Sequence, residues 1–223
     1  GDTGAGYAGS ALAIAASLFG LKCKVFMGRH DMERQRIQVF RMRSLGTEVV
    51  PCDQGSKTLV EAVSSCIRYY TANCDRVHMC VGSCVSATIW VKICAWAQSI
   101  IGKEMEEQMI DMFGKIPDKL NIVCAIGGGS SSYGTFSHFI DKEHVKLTGI
   151  EAGGPQGKNK GADSLSRGTI GVLHGSKSYL LQDKNSMVSN TTSISAGLDY
   201  PSNSPLHSHL KDLNRLQVMS VSD

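Results

Sequence analysis

The stretch NIVCAIGGGSSSYG, residues 121–134, restricts more than any other what this 223-residue chain can fold into. Asn121–Ile126 is a nearly continuous apolar run, the pattern expected of a strand buried on both faces. It passes directly into Gly127-Gly128-Gly129-Ser130, and a helix-length segment follows to about Ile140. Val145–Ile150 then reads as the next strand. Strand, crossover helix and strand imply parallel pairing, so the expected fold class is α/β, with parallel sheets and helices in three layers. In such sheets ligands collect at the carboxyl ends of the strands, where this glycine turn sits.

The rest of the chain repeats the alternation. Gly9–Gly20 is alanine-rich and ends on glycine, as a helix does. Lys24–Met27 and Thr47–Val50 are short strand patterns, and Val77–Val81 is a third. Asp31 can N-cap a helix running to Gly46, and Ser56 one running from Thr58 towards Tyr70. Helical segments extend to about Ile101 and over Glu104–Phe113. Gly153–Gly161 is a Gly- and Lys-rich loop, Asp163 to Ser193 is expected to be mostly loop, and LQVMSVSD closes as a strand.

Hydrophobic residues make up 42% and charged ones 19%, the balance of a globular protein with a core. No apolar run approaches the roughly 18 residues that span a bilayer, and no basic-then-apolar leader opens the chain. A cytoplasmic location without membrane partners is the expectation. The net charge of +3 is too small and scattered for nucleic-acid binding. The arginines around Arg34, Arg36, Arg41 and Arg43 read as a solvated helix face. Eight cysteines form no C-x-x-C pair, and Cys74, His78, Cys80 and Cys84 match no usual zinc spacing. They are expected to be reduced thiols, mostly in the core.

Two loops carry chemistry. In Gly127, Gly128, Gly129, Ser130 and Ser131, amides unobstructed by Cβ atoms can converge on an anion, aided by hydroxyls and the helix dipole. No G-K-[ST] follows, so this is neither a P-loop nor a dinucleotide turn. The opening GDTGAGYAG offers a second anion site at Thr3, Gly4, Ala5 and Gly6, with Asp2 beside it as a general acid or base. Asp2 or Thr3 acting only as a helix cap explains the same residues equally well. SISAGLDYPSNSP, with Gly and Pro around Asp199, reads as a loop.

DTGAGYAGSALAIAASLFGLKCKVFMG, ERQRIQVFRMRSLGTEVVP, GGGSSSYG and SISAGLDYPS stand in the order and spacing seen in tryptophan synthase β chains, which the sequence resembles over nearly its whole length. The resemblance implies a fold-type II enzyme dependent on pyridoxal 5′-phosphate (PLP). Its reaction would be a β-replacement joining indole to L-serine, with a possible α-subunit partner and a possible homodimer. It implies that Gly127–Ser131 hold the PLP phosphate, Thr3–Gly6 the substrate carboxylate, and Asp2 the place of a proton-shuttling glutamate. Arg34 and Asp199 fall on a pair that closes a lid, and Leu198, Tyr200 and Ser202 where backbone oxygens bind a monovalent cation. Residues 1–100 would be the remainder of an amino-terminal domain including the lid, and 101–223 part of the PLP-phosphate domain.

Several departures from the family pattern bear on activity. Asp2 is one methylene shorter than the usual glutamate, Tyr7 and Ala8 replace a Gln-His pair, and Ser131 replaces an asparagine. Ser86–Val91 replaces a Gly/Pro/His-rich stretch, and Val60 stands where a lysine usually faces the α subunit. By the resemblance, the Schiff-base lysine would lie upstream of Gly1 and a pyridine-contacting serine beyond Asp223. The expectation is an interior portion of such a chain, inactive alone. A non-catalytic remnant that keeps the fold and an anion site is the competing reading, with a cysteine or threonine synthase relative behind it.

Overall fold

The computed structural model describes residues 1–156 and 160–223, so the Gly157–Lys160 part of the expected Gly/Lys loop lies largely outside the described residues. The chain forms two compact units, Gly1–Gly82 with Ile194–Asp199, and Ser83–Ser193 with Tyr200–Asp223.

The first unit contains β1 (Asp2–Thr3), α1 (Tyr7–Leu18), β2 (Lys24–Gly28), α2 (Arg29–Arg34), α3 (Arg36–Ser44), β3 (Glu48–Cys52) and α4 (Leu59–Ala72). Its sheet is parallel in the order β1-β2-β3. Alternation along β2 builds the layers: Val25 and Met27 join Ala13, Val39 and Met42 of α1 and α3 in one core. Phe26 faces the other way, its ring 5.5 Å from that of Tyr69 on α4. Each large apolar side chain so buried contributes about 1.5–3 kcal/mol.

Local signals differ from the expectations at four points. Asp31 does not cap a helix, because α2 already starts at Arg29 and places Asp31 in its first turn. The helix also breaks at Gln35, so the expected single segment becomes α2 and α3. Thr58, not Ser56, is the N-cap of α4, in a capping box with Glu61. Ser56 instead donates its hydroxyl to the same Glu61 carboxylate at 2.7 Å. Val77–Val81 is irregular rather than a third strand; Met79 points inward, but the segment joins no ladder among the described residues.

The second unit holds α5 (Thr88–Gln98), α6 (Ile100–Phe113), β4 (Leu120–Ala125), α7 (Ser130–Ser137), β5 (Val145–Gly154), α8 (Ser164–Arg167), β6 (Thr169–Leu173), β7 (Ser176–Leu180), α9 (Pro205–Asp212) and β8 (Leu216–Ser222). A parallel sheet runs β4-β5-β8, and Ile122, Leu147 and Leu216 stand side by side across it. They form the core with Phe136 and Phe139 of the α7 region and Leu210 of α9. β4 is not buried on both faces as its apolar sequence implied. It is an edge strand, and Val123 stays 57% exposed.

Asp163–Ser193 is also more ordered than expected. It contains α8 and an antiparallel hairpin, β6–β7, turning at His174 and Gly175 with φ of 50° and 85°. Hairpin turns of this hand are usually signalled by Asn-Gly or Asp-Gly, and His-Gly hides the signal. Beyond Asp199, the segment read as a loop starts α9, with Ser204 accepting from the Leu206 amide at 3.1 Å and proline opening the first turn.

Candidate functional site

In the second unit, β4 delivers its carboxyl end to Gly127, and α7 begins at Ser130 with Gly129 as its N-cap at φ +91°. No side chain caps this helix. Among the described residues, no backbone amide from Gly127 to Ser132 donates a hydrogen bond. Contiguous unsatisfied donors at a helix N-terminus form an anion cradle, with the helix dipole adding to it.

The glycines leave no room for a side chain. A Cβ at Gly128 would stand 2.0 Å from Ser83 Oγ, and one at Gly129 2.8 Å from both His207 Nδ1 and Ser204 Cβ. The free amides, the glycine approach and the Ser130 and Ser131 hydroxyls fit the phosphate of the expected cofactor. Ser83 and His207 belong to this neighbourhood although no sequence motif marks them. The tertiary fold alone brings them there.

His207 is fully buried on the first turn of α9. One ring nitrogen, Nε2, lies 2.8 Å from Ser132 Oγ, while Nδ1 is buried with no hydrogen-bond partner. The rings of Tyr133 and Phe136 stand edge-on to it, with centroids at 6.0 and 6.2 Å. Burial lowers its pKa to about 4, and a helix N-terminus also disfavours an imidazolium.

In the first unit the Thr3–Gly6 loop joins β1 to α1. Thr3 is buried, and its Oγ1 accepts from the Gly6 amide at 3.1 Å. The hydroxyl therefore braces the loop, while Gly6, at φ +89°, is the N-cap. Asp2 caps no helix. Burial pushes its carboxyl up to about 6, against a backbone hydrogen bond that lowers it. A carboxyl in that range can both give and take a proton near neutrality. Tyr7 is 80% exposed, so the residue at the usual glutamine position turns outward.

Arg34 and Asp199 do meet in this unit, Nη2 to Oδ2 at 3.5 Å. The nearer partner is Asp31, expected as a helix cap: one helical turn back, it is fully buried and bonded to the same Nη2. Burial raises the Asp31 carboxyl despite the guanidinium, and its second oxygen has no partner. The i,i+3 spacing of Asp31 and Arg34 was legible in the sequence.

Of the residues expected around a monovalent cation, Leu198 lies in the first unit, and Tyr200 and Ser202 in the second. Tyr200 is buried, with its hydroxyl 2.7 Å from His174 Nδ1, and Ser202 Oγ is 2.8 Å from Ser178 Oγ. The cysteines are all free, yet only Cys52, Cys66 and Cys84 are buried, while Cys74 and Cys80 are exposed. The expectation of mainly core thiols is corrected accordingly. No helix of the described residues is long and apolar enough to cross a membrane.

Similarity to known proteins agrees with this picture. The chain is 44% identical over its full length to the tryptophan synthase beta chain of Allorhizobium ampelinum, and 42% to that of Pseudomonas syringae pv. syringae. It spans 54% of the length of each of these relatives. Among solved structures, diaminopropionate ammonia lyase from Escherichia coli superposes on all of the chain and 49% of its own, with a TM-score of 0.68 at 19% identity. A hydrogen sulfide-producing enzyme superposes with a TM-score of 0.60 at 16% identity, over all of this chain and 55% of its own. Such likenesses establish the fold, that of fold-type II PLP enzymes, with parallel sheets and helices. The profile of pyridoxal-phosphate-dependent enzymes matches residues 2–223, the same span that carries the unsatisfied glycine-loop amides, and the chain belongs to that family.

Proposed function

We propose that this chain carries the phosphate- and substrate-binding parts of a tryptophan synthase β-type site, joining indole to L-serine in concert with an α subunit. The observation that supports it best is the run of amides from Gly127 to Ser132 that donate to nothing within the protein. Gly127–Ser131 would hold the PLP phosphate, with Ser83 beside Gly128. When bound, PLP supplies an electron sink for negative charge developing at the substrate α-carbon.

In this reading Thr3–Gly6 orients the substrate carboxylate. Asp2 moves a proton at the serine hydroxyl and at the indole ring, for which a pKa of about 6 is well placed. The Arg34–Asp199 pair favours a closed lid that excludes water, which makes residues 1–100 the lid-bearing domain and 101–223 the phosphate domain. Backbone oxygens of Leu198, Tyr200 and Ser202 would hold a monovalent cation.

Complementation tests the reading. Spliced into the segments of the Allorhizobium ampelinum β chain that it does not match, this chain should restore growth without tryptophan to a strain lacking its β chain, and Asp2→Ala in the spliced enzyme should lower turnover on the order of 10²-fold or more. Binding of phosphate at the loop amides without any tryptophan formation would instead identify a non-catalytic relative.

A further inference from the structure

His207 is not accounted for by packing alone. A fully buried imidazole ordinarily satisfies both nitrogens, because an orphaned polar atom in the core is costly. Here only Nε2 is engaged, at 2.8 Å from Ser132 Oγ, and Nδ1 has no partner. That nitrogen lies beside Gly129, the residue that turns β4 into α7, where a Cβ would come within 2.8 Å of it. Ser132 is itself buried, in the first turn of α7 directly after the loop. The ring is thus bonded to the first turn of α7 through Nε2 and stands with Nδ1 beside the left-handed glycine. It is held at this angle by Tyr133, Phe136 and the Ser204 cap of α9.

We propose that His207 is the positioning residue of the anion cup: through Ser132 and Gly129 it locks α7 and the loop in the conformation that keeps the amides convergent. The inference rests on the reading of Gly127–Ser131 as the phosphate site. His207 holds that geometry without touching the anion, as partners that orient a binding group do. Ser132 Oγ and Nε2 are joined at 2.8 Å, and in the tautomer assigned to this role Nε2 accepts from the hydroxyl while Nδ1 carries the proton. Movement of the loop onto an anion therefore changes the surroundings of Nδ1.

The test uses the protein with ¹⁵N-labelled histidine and backbone, titrated at pH 7.5 with sodium sulfate and, separately, inorganic phosphate. In the wild type the amides of Gly127–Ser131 should shift, the His207 ring should show the Nδ1–H form, and its Nδ1 resonance should move along the same binding curve. His207→Phe and Ser132→Ala should each weaken sulfate binding about tenfold, the scale at which orienting partners act. The double variant should lose little more than either single one, because both cut the same link. Wild-type loop amides that ignore both anions would overturn the cup and the inference together. Amides that respond while the ring nitrogens stay still, or while His207→Phe binds with unchanged affinity, would overturn the inference alone. Should His207→Phe fail to fold, the wild-type ring signal and Ser132→Ala decide.

Discussion

Asp2 and His207 are titratable groups that burial holds away from their ordinary ranges, in opposite directions. Asp2 sits at about 6 in the folded chain against an ordinary 3.8, so its protonated form is favoured by folding. Its stabilising contribution is complete below 3.8 and is lost as pH rises through about 6. Asp2→Asn should therefore raise unfolding free energy at pH 7.5 by about 1–3 kcal/mol and change little at pH 3.5, as read from urea melts. A carboxyl kept at this cost is typical of groups retained for chemistry. His207 runs the other way, from an ordinary 6.5 down to about 4. Its contribution is complete above 6.5 and is lost as pH falls through about 4. Between those limits the wild type should lose on the order of 3 kcal/mol that a His207→Gln variant does not lose.

Among the elements, the β4–α7 connection is the least tolerant of change. Gly129 combines φ +91° with His207 and Ser204 pressed against its Cβ direction. Gly129→Ala should cost about 2–4 kcal/mol by thermal or urea unfolding, adding left-handed strain to overpacking. The α2 ion pairs carry a different lesson. The Arg34–Asp199 contact is the longer of the two ion pairs, at 3.5 Å, although Asp199 is itself buried. Asp31, however, is fully buried against Arg34, and removing the guanidinium leaves a buried charge uncompensated. Arg34→Ala should thus destabilise by on the order of 2–4 kcal/mol at pH 7, and Asp199→Ala, which leaves Asp31 paired, by less. Pairing Arg34→Ala with Asp31→Asn should recover much of the loss. Equal costs for the two single substitutions would count against this division of roles.

For the molecule as a whole, the thiols give a global reading of packing. Cys74 and Cys80 are exposed, whereas Cys52, Cys66 and Cys84 are buried, and burial pushes the Cys84 thiol up to about 12. A thiol reagent at pH 8 should label Cys74 and Cys80 first, leave the three buried thiols until unfolding, and reach all eight in denaturant. Early labelling of Cys84 would mean that the α5 region opens well below global unfolding. Each compact unit has its own parallel sheet and its own core, and the chain spans about half the length of its curated relatives.

The sequence alone determined the parallel α/β class and the position of the glycine loop whose amides donate to nothing among the described residues. Both follow from short-range rules: apolar runs of strand length, glycines where amides must approach a ligand, and helix-length spacers between them. It also carried the family, through four motifs in fixed order. Other features depended on neighbours far away in the chain. Among the described residues β5 alone pairs with apolar β4, which makes it an edge strand, and no local pattern states how many neighbours a strand will have. The His-Gly hairpin and α9 escaped notice because their turn and cap residues are locally ambiguous. Asp31 pairs with Arg34 instead of capping a helix because α2 starts two residues before it, at Arg29. Ser83, Ser132 and His207 met around the glycine loop only when the chain folded, because hydrogen bonding and close packing act through space, and the sequence separates Ser132 from His207 by 75 residues.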